Sequence, residues 1–173
     1  MATEKDFTAT TLVVHRNRVL LHSHRKLGLV LPLGGHIEPG EIPDDAAVRE
    51  VREESGLDIE LMLTPPVWPL TDVRQLARPI AVLLEDISPG HQHIDLIYVA
   101  TLKEPGRVVG HPEGEGSEEL MWLSDEEIDR VDMPDNVRVL AHFALELAKS
   151  PPTVRREGVR NDLLLRSDGP ALT

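Results

Sequence analysis

The chain has 173 residues, 40% hydrophobic and 28% charged, the ordinary balance of a globular domain with its own core. A formal net charge of −12 repels polynucleotide backbones, so no DNA or long RNA partner is expected. The absence of cysteine removes disulfides, thiolate nucleophiles and cysteine-based zinc sites.

The opening "MATEKDFTAT" lacks the apolar stretch of a secretory signal, and "IAVLL" is far too short to span a bilayer. A cytoplasmic protein without a membrane partner is therefore expected. Phe7, Trp68, Tyr98, Trp122 and Phe143 are the whole aromatic set, so the core must be mostly aliphatic.

Two strands are expected first, Thr10–Val14 and Val19–His22, around the turn-like "HRNR". In "LGLVLPLGGHIEPGE" a short strand should lead into a loop, because Pro32, Gly34, Gly35, Pro39 and Gly40 break the apolar pieces. "PDDAAVREVREESGL" carries every mark of a helix. Pro43 suits the first turn, Asp44 and Asp45 complement the positive end of the dipole, and Ala46 and Ala47 propagate. Gly56 is placed to end it in a left-handed cap, with Leu57 returning to the core.

"LDIELML" reads as the next strand, and residues 64–79, with four prolines, as a long irregular connection. "IAVLLEDI" and "HIDLIYVATL" should pair antiparallel through "SPGHQ". After the polar loop "KEPGRVVGHPEGEGSEE" come a short strand, "LMWL", and a capping box at Ser124. "DNVRVLAHFALELAKS" is an amphipathic helix, with Val137, Leu140, Ala141, Ala144, Leu145 and Ala148 at three-four spacing. Residues 1–149 are expected to form one domain. Residues 150–173 form a tail whose "DLLLR" could dock as a strand on this domain or on the partner in a homodimer.

The stretch "REVREESG" raises a physical question, because like charges at helical neighbour spacing destabilise a helix. At about 100° per residue, Glu54 lies about 40° to one side of Glu50 and Glu53 about 60° to the other, so three carboxylates share one wall. Val48 and Val51 point away from them, toward the core. Arg49, one turn before Glu53, can pair with it. A solvated acidic face is the plain reading. The alternative is a divalent-cation site, since Mg²⁺ takes oxygen ligands and bridges carboxylates to phosphates.

The flanking residues weigh on that choice. From Gly35, five residues lead to Glu41 and seven more to Arg49-Glu50; Val51, Glu53-Glu54 and Gly56-Leu57 follow. This resembles the Nudix box, Gly-x5-Glu-x7-Arg-Glu-U-x-Glu-Glu-x-Gly-U with U aliphatic, at every fixed position. The resemblance implies an α+β fold, an α/β/α sandwich with a mixed sheet between helices and the box as loop–helix–loop. It implies Mg²⁺- or Mn²⁺-dependent hydrolysis of a nucleoside diphosphate derivative, such as a nucleoside triphosphate, ADP-ribose or a nucleotide sugar. Glu53 and Glu54 would bind the metal, and Glu50 would join them or act as base. Glu41 and the Gly35 carbonyl would complete the site, and Arg49 would orient a metal-binding glutamate. Gly34 and Gly35 would let backbone approach the diphosphate.

Outside the box the residues leave alternatives open. "EGEGSEE" offers Glu113, Glu115, Glu118 and Glu119 as a general base or as substrate contacts, against a plain acidic loop. Trp68 could stack on a nucleobase or plug the core, and Arg74 and Arg78 could meet phosphates or stay solvated. His91 and His93, two apart on one strand face, could grip a phosphate or a metal, although a strand-entry pair is the commoner meaning. His22 and His24 repeat that spacing. Substrate choice should reside in residues 64–79 and 104–119.

Three functions compete. A metal-dependent diphosphate hydrolase accounts for the intact acidic box. A non-catalytic nucleotide-sensing module of the same fold would not need it. Isopentenyl diphosphate isomerisation, also supported by this fold, relies on a cysteine the chain lacks.

Overall fold

A computed structural model describes residues 3–24, 28–64, 68, 70–104 and 119–149. Strands β1 (Glu4–His15) and β2 (Arg18–His24) form a hairpin. Its two-residue turn puts Arg16 and Asn17 at φ 47° and 59°, the left-handed pair that matches strand twist. The expected single strand before the helix is two, β3 (Leu29–Leu31) and β4 (Leu33–His36), parted at Pro32. Proline has no N–H to continue a ladder, so the chain changes partners there: β3 pairs with β2 and β4 with β1.

Helix α1 (Pro43–Ser55) starts with proline in its first turn and ends at Gly56, whose φ of 70° and N–H bond to the Arg52 carbonyl at 2.8 Å form the left-handed cap. β5 (Ile59–Leu61) is followed by the hairpin of β6 (Ala81–Ser88) and β7 (His91–Leu102). β8 (Glu119–Leu123) leads through the Ser124/Glu127 capping box into α2 (Asp125–Ile128) and then α3 (Asp135–Lys149).

Among the described residues eight strands join one mixed sheet, with β1 and β7 running parallel at its centre from Glu4↔His91 to Val14↔Thr101. Both central strands change neighbours midway. β1 pairs with β4 over Thr8–Thr11 and with β2 over Val13–His15. β7 pairs with β6 in its first half and with β5 in its second. β1 also begins earlier than its apolar run suggests, because polar Glu4, Lys5 and Asp6 still pair with β7.

Alternation along β1 sorts the core into two layers. Leu12 and Val14 face Ile128, Val137, Ala141, Ala144 and Leu145 of α2 and α3. Val13 packs with Val51 of α1 and with Leu57, and Ala9 with Ala46 and Ala47. The sheet therefore lies between α1 and the α2–α3 pair, the sandwich expected of the resemblance. Among the described residues no helix is long and apolar enough to cross a membrane.

On the outer side of the α2–α3 layer, the His142 ring lies 2.7 Å from Asp125 and 3.0 Å from Asp129. Hydrogen bonds to Asp125 and Asp129 raise its pKa above the ordinary 6.5. A raised histidine stabilises fully below its unfolded-state value and loses that contribution as pH climbs through the folded one. His142→Ala is expected to lower thermal stability well below pH 6.5, with the deficit shrinking in mildly alkaline buffer. Melting curves at the two pH values check this.

Candidate active site

Helix α1 builds the wall by burying one side. Ala46, Ala47 and Val51 are fully buried and Val48 packs beside them, so Arg49, Glu50, Glu53 and Glu54 project together from the other side. The loop before the helix supplies Glu41, and β4 supplies Gly34, Gly35 and His36.

Arg49 is the hub. Its Nε and Nη2 each donate to one Glu41 oxygen at 2.9 Å, a bidentate fork. Nη1 reaches Glu50 at 2.7 Å and Glu53 at 3.2 Å, and Nη2 also donates to the His36 carbonyl at 3.0 Å. The i,i+4 pair with Glu53, visible from helical spacing, is thus the longest of these bonds. Hydrogen bonding to Arg49 holds the Glu41 carboxyl below its ordinary range, against an opposing effect of burial. Bonds to Glu41 and Glu50 raise the Arg49 pKa further, so it stays a cation.

Glu54 joins the wall with Oε2 accepting the Gly34 N–H at 2.9 Å, so four carboxylates gather there, three of them bonded to Arg49. The set is rich in hard oxygens, a donor chemistry that fits Mg²⁺ or Mn²⁺. The Glu53 side chain is 59% exposed, whereas Glu50 and Glu41 are 15% and 16% exposed, so Glu53 is the solvent-facing member.

Both box-entry glycines are required by close approach. A Cβ on Gly35 would lie 2.6 Å from the Glu50 carboxyl carbon, and one on Gly34 would lie 2.5 Å from the Ala9 carbonyl oxygen and 2.7 Å from the Thr10 Cα. The neighbours of Gly34 are backbone atoms, which cannot rotate away. Gly34→Ala is expected to cost about 1–3 kcal/mol by overpacking and to draw the Gly34 N–H off Glu54. Chemical denaturation and turnover measured on the same variant check both effects.

Beside this wall the sheet opens into a cavity of about 510 Å³, lined in part by Gly34, Gly35, Glu54, His22, His24 and Leu140. Asp95 lies on its floor, buried, with Thr8 donating to one carboxylate oxygen at 2.9 Å and Thr10 to the other at 2.8 Å. Burial pushes the Asp95 carboxyl upward despite those bonds, and burial together with the Asp95 charge does the same to Glu85. Burial, then the neighbouring His36 and His91, lower His93.

The structure therefore brings together Gly34, Gly35, Glu41, Arg49, Glu50, Glu53 and Glu54. Trp68 and Arg74 do not line the cavity. The Trp68 side chain is exposed, and Arg74 lies 3.9 Å from Asp44 and 3.8 Å from Asp45 at the start of α1. Glu115 and Glu118 fall outside the described residues, as does Glu113; Glu119 is exposed at the start of β8. Asp95, Thr8, Thr10 and Glu85 escaped the sequence reading. Their one signal is the spacing of Thr8 and Thr10, two apart and so on one face of their strand, the face that meets Asp95.

A family model described as the NUDIX domain matches residues 5–143. The chain belongs to the Nudix family. Among solved structures, a Nudix-family hydrolase from Clostridium perfringens is 35% identical, with a TM-score of 0.69, over 83% of this chain and 97% of that one. An ADP-ribose pyrophosphatase from Streptococcus suis is 18% identical, with a TM-score of 0.57, over 85% and 94%. A UDP-X diphosphatase is 15% identical, with a TM-score of 0.55, over 86% of this chain and 64% of that one. The last two likenesses speak for the Nudix fold alone. The comparison with curated proteins returned no match.

Proposed function

We propose that this Nudix protein hydrolyses the diphosphate linkage of a small nucleoside diphosphate derivative with Mg²⁺ or Mn²⁺. The observation that carries the reading is the intact carboxylate wall, Glu41, Glu50, Glu53 and Glu54 around Arg49, beside a cavity of about 510 Å³. That volume lies within the range of small-molecule sites, about 300–1,000 Å³.

Glu50, Glu53 and Glu54 would hold the cation, with Glu41 and the Gly35 carbonyl beside them. The bound ion supplies neutralisation of diphosphate charge and activation of water. Arg49 fixes the carboxylates by its fork and shorter reaches, so the wall does not reorganise as charge develops. Glu50, or a glutamate of the 113–119 segment, accepts the proton of the attacking water at a carboxylate oxygen. The Thr8–Asp95–Thr10 floor offers a fixed polar surface to the remaining part of the ligand.

The test is a panel of nucleoside triphosphates, ADP-ribose, nucleotide sugars and dinucleoside polyphosphates with Mg²⁺ or Mn²⁺, scored by phosphate release and product mass. Metal-dependent cleavage within the diphosphate supports the proposal. Tight binding of one compound without turnover would replace it with the sensing role. We further assign the catalytic unit to residues 1–149 and a docking role, on this domain or a second subunit, to residues 150–173. Light scattering of the chain cut after Ser150 separates the two: a lower oligomeric mass places the tail on a second subunit, and an unchanged mass takes it out of any dimer contact.

A further inference from the structure

A second group of potential ligands lies on the sheet face that carries the cavity, apart from the box glutamates. Asp6 of β1 sits opposite His93 of β7 in the parallel register, and His91 lies two residues before His93 on the same face. One ligand atom from each of Asp6, His91 and His93 can be chosen so that all lie within 4.8 Å of one another. His36, at the end of β4, approaches the same carboxylate, its Nε2 lying 3.7 Å from Asp6 Oδ2, while His91 Nε2 lies 3.6 Å away. The His93 ring meets His36 edge to face at 4.8 Å and His91 at 5.1 Å between centroids.

We infer that Asp6, His91 and His93 form a site for a Zn²⁺-like transition-metal ion, with His36 as a fourth ligand. The donor set differs in kind from the box. Imidazole nitrogens with one carboxylate suit Zn²⁺, Co²⁺ or Ni²⁺, whereas the glutamate wall suits Mg²⁺ or Mn²⁺. Tetrahedral zinc with bonds of about 2.0–2.1 Å separates its ligand atoms by roughly 3.3 Å. The two contacts at Asp6 are already within a few tenths of an ångström of that edge. Side-chain rotation would have to bring the remaining ligand atoms together.

The frame is rigid, since Asp6, His91 and His93 stand on the two long central strands. His36 also links the two centres, because its carbonyl accepts the Arg49 Nη2 bond. An ion here would tie β1, β4 and β7 together at the cavity mouth and hold the strand against which Arg49 is braced.

The site is independent of the proposed hydrolysis, and its test needs no substrate. Co²⁺ is added to the full chain in excess Mg²⁺, which occupies the glutamate wall, and the visible spectrum is followed. One Co²⁺ per chain with intense tetrahedral absorption, displaced by Zn²⁺, is expected. Outer-shell partners of metal sites are worth about 10- to 100-fold in affinity, so Asp6→Asn, His91→Gln and His93→Gln should each weaken binding at least tenfold. The Glu53→Gln/Glu54→Gln pair should leave it unchanged. Should a histidine variant fold poorly, wild-type imidazole proton resonances give the same answer, with those of His91 and His93 shifting together on Zn²⁺ addition. Weak octahedral absorption only, undiminished affinity in folded His91→Gln or His93→Gln, or shifts confined to His22 and His24 would each overturn the assignment.

Discussion

Glu53→Gln and Glu54→Gln are each expected to lower Mg²⁺-dependent turnover by more than about a hundredfold, since even an outer-shell partner of a metal site is worth about 10- to 100-fold. Glutamine preserves shape, and its carbonyl oxygen can still accept the Gly34 N–H that holds Glu54 at 2.9 Å. What disappears is one negative charge from a wall of four carboxylates, three of them bonded to Arg49. Without metal the same variants should be as stable as wild type or slightly more so, because like-charge helical neighbours cost about 0.2–0.5 kcal/mol per pair. With Mg²⁺ at a hundred times its dissociation constant, wild type should gain about 2.7 kcal/mol, and the variants much less at that concentration. Kinetics and melting curves with and without Mg²⁺ check the pair of effects. Full turnover in either variant would remove that glutamate from the catalytic set.

The second large effect is at Arg49. Arg49→Lys keeps the charge but loses the planar fork that holds both oxygens of Glu41 while reaching Glu50, Glu53 and the His36 carbonyl. Turnover should fall about 10- to 100-fold, as for other groups that orient metal ligands. Arg49→Ala should also destabilise, by about 1–3 kcal/mol, through acceptors left without their donor. The loss carries a pH signature. In wild type the Glu41 pKa is lowered, so its contribution is present above the ordinary carboxylate value of 4.5 and disappears as pH falls through the lowered one. The deficit of Arg49→Ala should therefore be larger at neutral pH than in acid, as paired denaturation curves at the two pH values would show.

What the sequence discloses follows how local the cause is. Helix α1 is legible because Pro43, Asp44, Asp45 and Gly56 act within a turn of where they stand. The Ser124 capping box and the β6–β7 hairpin are legible for the same reason. The clustering of Glu50, Glu53 and Glu54 follows from helical period alone. Period does not disclose that Arg49 grips Glu41 more fully than Glu53, because Glu41 lies in a loop whose path no repeat fixes. Nor does it disclose the Thr8–Asp95–Thr10 floor, whose members meet only because β1 and β7 pair. Pro32 is legible as a break, but which strand each side joins depends on the sheet around it.

The parallel pairing of β1 with β7 also makes folding wait on synthesis. Thr8 and Asp95 are 87 residues apart, and contacts that distant cannot form until the later strand exists. At about 5–20 residues per second, a ribosome needs roughly 4–17 s to reach the partner of a β1 that has already left the peptidyl-transferase centre. During that interval β1 and β2 can close their hairpin and α1 can sample its helix, but β1 presents an open edge with Leu12, Val13 and Val14 beside it. The polar start of the strand, Glu4, Lys5 and Asp6, then places charges along the part of that edge to emerge first, where they discourage pairing with other nascent chains.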